Sequence, residues 1–415
     1  MGDLSSLLDR LRREVVARQG AARDEVRFVR SPYRVCPLGA HVDHQFGPAT
    51  AMAIDRGVHL AYAPSGSSEV VVSSMEFPGL VRFNLGEVSA CQADDWGNFP
   101  RGAALALLRR HRLTRGLVGV TAGRLHGGGL SSSAAVGVAF LLAFEEINGL
   151  HLDAEENIEL DRQIENDYLG LRNGILDPAA ILLSRRGHLT RINCRTADHE
   201  QIPAAPGSPP FRIVLAFSGL RRSLIGTEYN RRVYECTEAA RILLEAVGRP
   251  CQEPVLGDVG EDEYDAYRHR LRDAPARRAA HFFSEVGRVR EGVEAWKTGD
   301  LVRFGSLMTE SGASSIRSYE CGSPPLIDLY HALVTTEGVH GARFSGAGFR
   351  GCCAAMVAPE AVDHVIDRVG SIYRSQHPDL AEHAPILICD SADGAGFVDD
   401  GAIAPALLAA MGETS

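Results

Sequence analysis

A glycine- and serine-rich junction that leads straight into an apolar helix fixes one element of the architecture. Residues 123–135 read GRLHGGGLSSSAA, and the apolar stretch 136–147 follows without a break. Glycines let the backbone come close to a ligand, and the free N–H groups at a helix start attract an anion. The junction predicts a phosphate-binding loop made by Gly127, Gly128, Gly129, Leu130, Ser131, Ser132 and Ser133. The simpler alternative is a flexible turn in which Ser131 or Ser132 only caps the helix.

The predicted phosphate loop contains no lysine. Lys297 is the single lysine among the 43 Lys plus Arg of the 415 residues, and it follows Trp296 rather than a glycine-rich run. This disfavours a Walker-A loop, a protein-kinase strand lysine and a Schiff-base lysine. Phosphate must therefore be held by backbone N–H groups, hydroxyls and arginine.

Charge and cysteine usage exclude several other classes of protein. The formal net charge is -10 and no basic cluster stands out, so we expect no nucleic-acid partner. The nine cysteines are scattered and never spaced as C-x-x-C, which favours reduced thiols over disulfides or a zinc site. A charged N-terminus and the lack of a long apolar run predict a cytoplasmic protein with no membrane partner.

Hydrophobic periodicity predicts two regions of mixed structure. The spacing of leucines over 3–19 indicates an amphipathic helix, and short strands are expected near 26–29, 50–53, 58–63 and 70–73. The proline-rich segment 201–210 is the best linker candidate. Beyond it we expect a strand over 211–217, helices over 228–247, 262–297 and 299–313, and a strand-loop-strand unit over 342–358.

A polar cluster occupies the loop after the first strand. Residues 31–48, SPYRVCPLGAHVDHQFGP, bring together Arg34, His41, Asp43 and His44 in an otherwise apolar or Gly/Pro-rich segment. Such a cluster on a tight loop favours ligand recognition. A metal site made by the two histidines and Asp43 is disfavoured because three ligands in four residues are too crowded for one ion.

Two carboxylates follow the phosphate loop. Apolar residues over 157–171 share one helical face, and Glu165 falls beside that face. Asp177 precedes Pro178, a pair that in isolation is typical of a helix N-cap. Near a phosphate donor, one carboxylate could instead hold Mg²⁺ while another deprotonates an attacking hydroxyl.

A second glycine loop, GARFSGAGFRGCC at 341–353, precedes an apolar strand. On its own this loop is weak evidence for a binding site, because glycine clusters also form bulges. Together, the two glycine loops predict a single binding site in which the second loop forms one wall.

In this order the motifs resemble the GHMP small-molecule kinases, and within them the galactokinase branch, from about residue 27 to 357. The galactokinase signature G-R-V-N-L-I-G-E-H-T-D-Y corresponds to YRVCPLGAHVDH at 33–44. The family's G-x-G-L-S-S-S-A is matched by 127–134, and its third motif by 341–352 with Arg350 in place of a glycine. The resemblance implies an α+β fold of two domains, 1–205 with a mixed sheet and 206–415 of α/β type, with the active site in the cleft between them.

The resemblance also implies roles for individual residues. Arg34 would stabilise the transferred phosphoryl group and Asp177 would be the catalytic base toward a sugar 1-hydroxyl. Mg²⁺ would be held by Glu165 and by Ser133 or its neighbour Ser132, and ATP would lie on the phosphate loop with Trp96 beside the adenine. The implied sugar contacts are Ala40, His41, Asp43, Asp177, Tyr229 and Gly346.

Departures from the family pattern bear on the substrate. Ala40 stands where galactokinases have a glutamate that accepts a hydrogen bond from the sugar's 6-hydroxyl, His44 replaces a tyrosine, and Arg222 replaces a histidine. Loss of the carboxylate would admit an anionic group at C6, and the same segments resemble plant enzymes that act on D-galacturonate. We therefore expect D-galacturonate as the sugar. A kinase for neutral galactose or L-arabinose and a non-catalytic sugar sensor remain alternatives, and the sequence leaves the oligomeric state open.

Overall fold

The structure is a computed structural model that describes residues 2–123, 129–220, 227–399 and 402–405. The strands of this described part are β1 (Arg27–Val35), β2 (Ala49–Pro64), β3 (Glu69–Ser74), β4 (Leu80–Asn84), β5 (Leu117–Ala122), β6 (His188–Ile192), β7 (His199–Pro203), β8 (Arg212–Phe217), β9 (Val339–Phe344), β10 (Cys352–Val357), β11 (Ile386–Cys389), β12 (Ser391–Ala392), β13 (Gly396–Asp399) and β14 (Ala402–Pro405). The α-helices are α1 (Gly2–Gln19), α2 (Asn98–Leu108), α3 (Ser132–Asn148), α4 (Ala154–Gln163), α5 (Leu176–Leu183), α6 (Thr227–Val247), α7 (Glu261–Tyr267), α8 (Asp273–Thr298), α9 (Leu301–Arg317), α10 (Pro324–Val334), α11 (Val362–Gln376) and α12 (Pro378–Ala381).

The first sheet has the main order β14-β13-β1-β2-β5-β3-β4, with β6 and β12 also paired to β2 and with β7 paired to β6. Only the β3–β5 pair among the described strands is parallel, which makes the sheet mixed. The two short strands predicted near 50–53 and 58–63 are one long strand, β2, because Ile54 pairs with Ser391 of β12 and Gly57 with Pro32 of β1 between them.

Both faces of this sheet are covered. Leu8, Leu11 and Val15 of α1 are buried against one face, as the leucine spacing predicts. The other face packs against α2 and α3, whose apolar residues join the main core. A register shift between Pro32 and Arg34 marks a bulge in β1, and bulges re-aim side chains next to functional sites.

The helix predicted over 157–171 is shorter and irregular. It is regular only as α4, and residues Ile164–Tyr168 form a π-helical turn before the chain leaves the helix. Local π-helical turns widen the helix and are frequent at functional sites. Here the turn carries Glu165.

The second sheet has four strands in the order β11-β8-β10-β9 within the described residues. Helices α6 and α10 contribute buried apolar residues to the core on this sheet. The single helix predicted over 262–297 is broken into α7 and α8 by a 3₁₀ turn at Arg268–Arg270, where polar side chains cannot maintain a buried face.

The segment between the two sheets only partly fits its prediction as a linker. Its first residues belong to β7, which pairs with β6, and the irregular part begins after Pro203. Near the end of the described chain, β12 pairs with β2 and β13 with β1, both in the predicted N-terminal domain, and β14 pairs with β13. The domain division near residue 205 stays a prediction. In the described residues no helix combines the length and apolarity needed to cross a membrane.

Candidate active site

The two glycine loops meet backbone to backbone. A Cβ added at Gly346 would lie 3.0 Å from the Gly129 Cα, and one added at Gly129 would lie 2.9 Å from the Cys352 backbone nitrogen. Both glycines have positive φ, 71° and 91°, which other residues rarely adopt. The two loops therefore form one wall at Gly129 and Gly346, as predicted. Gly127 and Gly128, also predicted for phosphate binding, lie outside the described residues.

Arg34 and Asp177 form the centre of the site. Arg34 is 3% exposed, and its Nε and Nη2 donate to Asp177 Oδ1 at 2.7 and 2.6 Å. The hydroxyl of Ser131 donates to the other carboxylate oxygen, Oδ2. Arg34 Nη1 also lies 3.5 Å from Ser345 Oγ, which connects this pair to the second glycine loop.

The capping alternatives for these residues are wrong. Ser131 precedes the first residue of α3, but its side chain makes no cap hydrogen bond and its backbone is left-handed with φ 53°. Asp177 lies inside the first turn of α5, where Ile175 is the N-cap residue. Both side chains are directed into the site instead of satisfying helix ends.

Glu165 lies beside the start of α3. Its Oε1 accepts from Ser133 Oγ at 2.7 Å and its Oε2 from Asn173 Nδ2 at 2.6 Å. The carboxylate is 1% exposed, and burial, followed by the nearby charge of Asp177, raises its pKa above the usual range. Among the described residues Glu165 forms no ion pair with a basic side chain.

These oxygens fit a hard divalent cation. Asp161, one turn earlier on α4, is also fully buried, and neither of its carboxylate oxygens has a hydrogen-bond partner in the structure. Charge interactions link Asp161 to Glu165 and Asp177, all of them acidic. Buried carboxylates without an adjacent cation are costly, and Mg²⁺ prefers such oxygen ligands together with phosphate oxygens and water.

One of the predicted sugar contacts, His41, belongs to a cluster around the buried ring of Tyr319. The His41 ring stacks on it with centroids 4.3 Å apart at 12°, and the His281 ring lies 5.2 Å away. His281 Nε2 is 3.1 Å from the carbonyl oxygen of Ala40, whose side chain is 6% exposed. The position at which galactokinases have a glutamate is thus a small apolar side chain at the edge of a histidine-rich cluster.

Asp43 and Tyr229 lie on the Asp177 side of this cluster. Asp43 Oδ2 would be 2.5 Å from a Cβ at Gly174, three residues before Asp177. Burial and then the charge of Asp177 raise the Asp43 pKa to about 6, while burial and then Asp43 raise the pKa of Tyr229. His41 points to Tyr319 while Asp43 points to Gly174, so these two side chains diverge. Among the described residues no group of three or more His, Cys, Asp or Glu is placed to hold a metal on its own, so a cation at Glu165 would also need the Ser133 hydroxyl and phosphate oxygens.

Trp96, the residue predicted to lie beside the adenine, stands two residues before α2. Its partly buried ring packs on the main core and is nearly parallel to Phe77, with centroids 6.3 Å apart at 17°. Phe77 follows β3, whose Ser74 pairs with Thr121 shortly before the loop begins. That Trp96 lies beside the nucleotide base stays a prediction.

The sequence did not predict four residues of the site. Asn173 and Ser345 lie inside motifs that carry the family resemblance, so their positions next to predicted site residues could have indicated them. His281 and Tyr319 come from α8 and from the segment after α9, and only the three-dimensional fold brings them to the loop around residue 41.

Comparison with known proteins defines the class. Residues 98–185 match the family described as GHMP kinases N terminal domain, and residues 290–375 match GHMP kinases C terminal. The chain belongs to the GHMP kinase family, which confirms the predicted family and its two-domain α+β fold. It is a phosphotransferase, and kinases of this family use ATP as phosphoryl donor.

Individual relatives narrow the comparison. The chain is 46% identical to a galacturonokinase from Arabidopsis thaliana, with 94% of this chain and 98% of the relative covered. It is 32% identical to a galactokinase from Roseiflexus sp. (strain RS-1), with 90% and 94% covered. The crystal structure of Lactococcus lactis galactokinase complexed with galactose matches with a TM-score of 0.85 at 27% identity, covering 94% of this chain and 99% of that one.

Proposed function

We propose that this enzyme transfers the γ-phosphoryl group of ATP to the anomeric hydroxyl of D-galacturonate. The observation that carries the substrate assignment is Ala40, an uncharged small side chain at the position of the galactokinase glutamate. The similarity to the Arabidopsis galacturonokinase supports the same choice. All nine cysteines are free, which agrees with our proposal of a reducing, cytoplasmic location.

In the proposed reaction Asp177 accepts the proton of the sugar 1-hydroxyl, whose oxygen attacks the γ-phosphorus while the bond to the departing ADP oxygen breaks. Hydrogen bonds from Arg34 and Ser131 hold the Asp177 carboxylate in place. Arg34 is close enough to offset the charge that develops on the transferred group. Trp96 and the phosphate loop would hold ATP, and Ala40, His41, Asp43, Tyr229 and Gly346 would surround the sugar.

Mg²⁺ would be held by Glu165 and Ser133, where it would neutralise phosphate charge. Ser132, the alternative hydroxyl, is adjacent on the same helix turn. Ser133 is the better candidate because its Oγ already lies 2.7 Å from Glu165.

The test is ADP formation from ATP with galacturonate, glucuronate, galactose and L-arabinose, each measured separately with the same enzyme. We expect the largest kcat/KM with galacturonate. A larger value with galactose or arabinose would establish the neutral-sugar kinase instead. Saturable sugar binding without ADP formation would establish the sensor.

A further inference from the structure

The sugar end of the site contains a histidine that the transfer step does not use. The loop from Gly39 to Phe46 wraps around Tyr319, so that His41 stacks on the ring while His44 Nε2 lies 3.1 Å from the phenolic oxygen. His44 and Ala40 therefore belong to the same short loop around one side chain. In galactokinases the two corresponding positions hold tyrosine and glutamate.

His44 is the histidine of this cluster that a ligand can reach. His41 is 6% exposed, His281 is 1% exposed and Tyr319 is fully buried. Part of the His44 side chain is accessible, and its ring meets the edge of Tyr229 with centroids 6.0 Å apart at 82°. Tyr229 is one of the predicted sugar contacts, so His44 adjoins the proposed sugar position.

The surroundings of His44 suit a change of charge on ligand binding. Burial, followed by the nearby His281, lowers the His44 pKa to about 4, so the ring is neutral at pH 7 without ligand. Acceptors for a protonated ring are in place, namely the Tyr319 oxygen and the backbone carbonyls of His41 and His44. The neighbouring groups are Tyr319, His41, His281, Tyr229 and Gln45, and Asp43 adjoins it in sequence. The Gln45 amide nitrogen Nε2 lies 3.3 Å from Nδ1 and donates to the neutral ring, so this amide has to move away when Nδ1 is protonated.

We infer that His44 is a specificity-determining residue that receives the C6 carboxylate of the uronate and takes up one proton from solvent when that sugar binds. The inference rests on the proposed function. The only bond formed is the N–H bond of the imidazole, so the step needs no further reactant. A nearby carboxylate stabilises the imidazolium and raises its pKa, whereas galactose brings no charge and leaves the ring neutral.

The sign of the pH dependence follows from this linkage. Because the complex with galacturonate binds one more proton than the free enzyme, its affinity increases as pH falls from above the pKa of the complex toward the value near 4 of the free enzyme. The sugar's own carboxylate, with an ordinary pKa of about 3.5, stays ionised above pH 5. Groups such as Asp43 and Glu165 titrate with either sugar, so the ratio of the two affinities removes the pH dependence that the sugars share, and His44→Gln identifies the part that belongs to His44.

The experiment measures KM for galacturonate and for galactose between pH 5.5 and 8.5, and sugar binding by calorimetry in two buffers of different ionisation enthalpy. We expect the galacturonate-to-galactose KM ratio to fall with decreasing pH, by up to about tenfold per pH unit. Galacturonate should take up between zero and one proton, and galactose none. His44→Gln should remove both effects, and His364→Gln, an exposed histidine on α11, should keep them.

Each result decides between the two proposals. If galacturonate is phosphorylated but the KM ratio does not change with pH, or His44→Gln keeps the proton uptake, the inference is wrong and the proposed function stands. If no ADP forms with galacturonate, the proposed function fails. Should His44→Gln not fold, His44→Tyr restores the galactokinase residue, and proton uptake by the unmodified enzyme still decides.

Discussion

Replacing Ala40 by glutamate should convert the sugar preference of this kinase. The substitution restores the galactokinase carboxylate at a position that is 6% exposed and whose backbone carbonyl is fixed by His281. A buried carboxylate at this point would face the C6 carboxylate of galacturonate. With galactose the same carboxylate would accept a hydrogen bond.

The magnitude follows from Coulomb's law. Two like charges about 5 Å apart at an effective dielectric near 20 repel by about 3 kcal/mol, which corresponds to roughly a hundredfold in affinity. Galactose does not meet this repulsion. The ratio of kcat/KM for galacturonate to that for galactose should therefore fall by about two powers of ten.

The assay is ADP formation at saturating ATP with each sugar, and Ala40→Gln is the matched control because it has the size of glutamate without its charge. We expect Ala40→Gln to reduce activity on both sugars by similar factors and Ala40→Glu to reduce galacturonate activity much further. Equal losses on the two sugars in Ala40→Glu would refute the charge explanation of Ala40.

Three other substitutions test the remaining assignments. Asp177→Asn should lower kcat by about 10² to 10⁴, the range for a lost general base, while calorimetry still detects ATP binding; near-normal turnover would remove Asp177 from catalysis. Glu165→Gln should raise the Mg²⁺ concentration for half-maximal ADP formation at least about tenfold, since a ligand is lost. Asp167→Asn, an exposed control on the same π-helical turn, should leave that concentration unchanged, and an equal shift in both variants would argue against the Glu165 site. Lys297→Arg should keep full kcat/KM because the lysine lies on the surface, where it pairs with Glu200 at 3.1 Å and with Glu294 at 3.9 Å, and a large loss would mean that phosphate is handled there.

Local sequence was sufficient for features that depend on local chemistry. The amphipathic spacing gave α1, and the glycine loops had to approach a backbone closely because Gly129 and Gly346 leave no space for a Cβ. The pairing of Arg34 with Asp177 also agrees with the family resemblance, although 143 residues separate them.

Long-range packing explains what sequence patterns could not give. The π-helical turn at Glu165 replaces the regular helix that the apolar periodicity predicts, because Ile164 and Tyr168 pack against Gly102 of α2. Tyr319 and His281 reach the loop around His41 only through the packing of α8 and the segment after α9. The return of β12–β14 to the first sheet likewise carries no local signal.

The position of the new phosphate shows whether the enzyme is a sugar 1-kinase that acts on galacturonate. The product of ATP and galacturonate can be examined by ¹H–³¹P correlated NMR, which identifies the carbon whose oxygen carries phosphorus. We predict a correlation between phosphorus and the anomeric proton of the uronate, and a much weaker one after the same reaction time with Asp177→Asn. Phosphate on any other hydroxyl, or no phosphorylated uronate at all, would show that the enzyme is not a galacturonate 1-kinase.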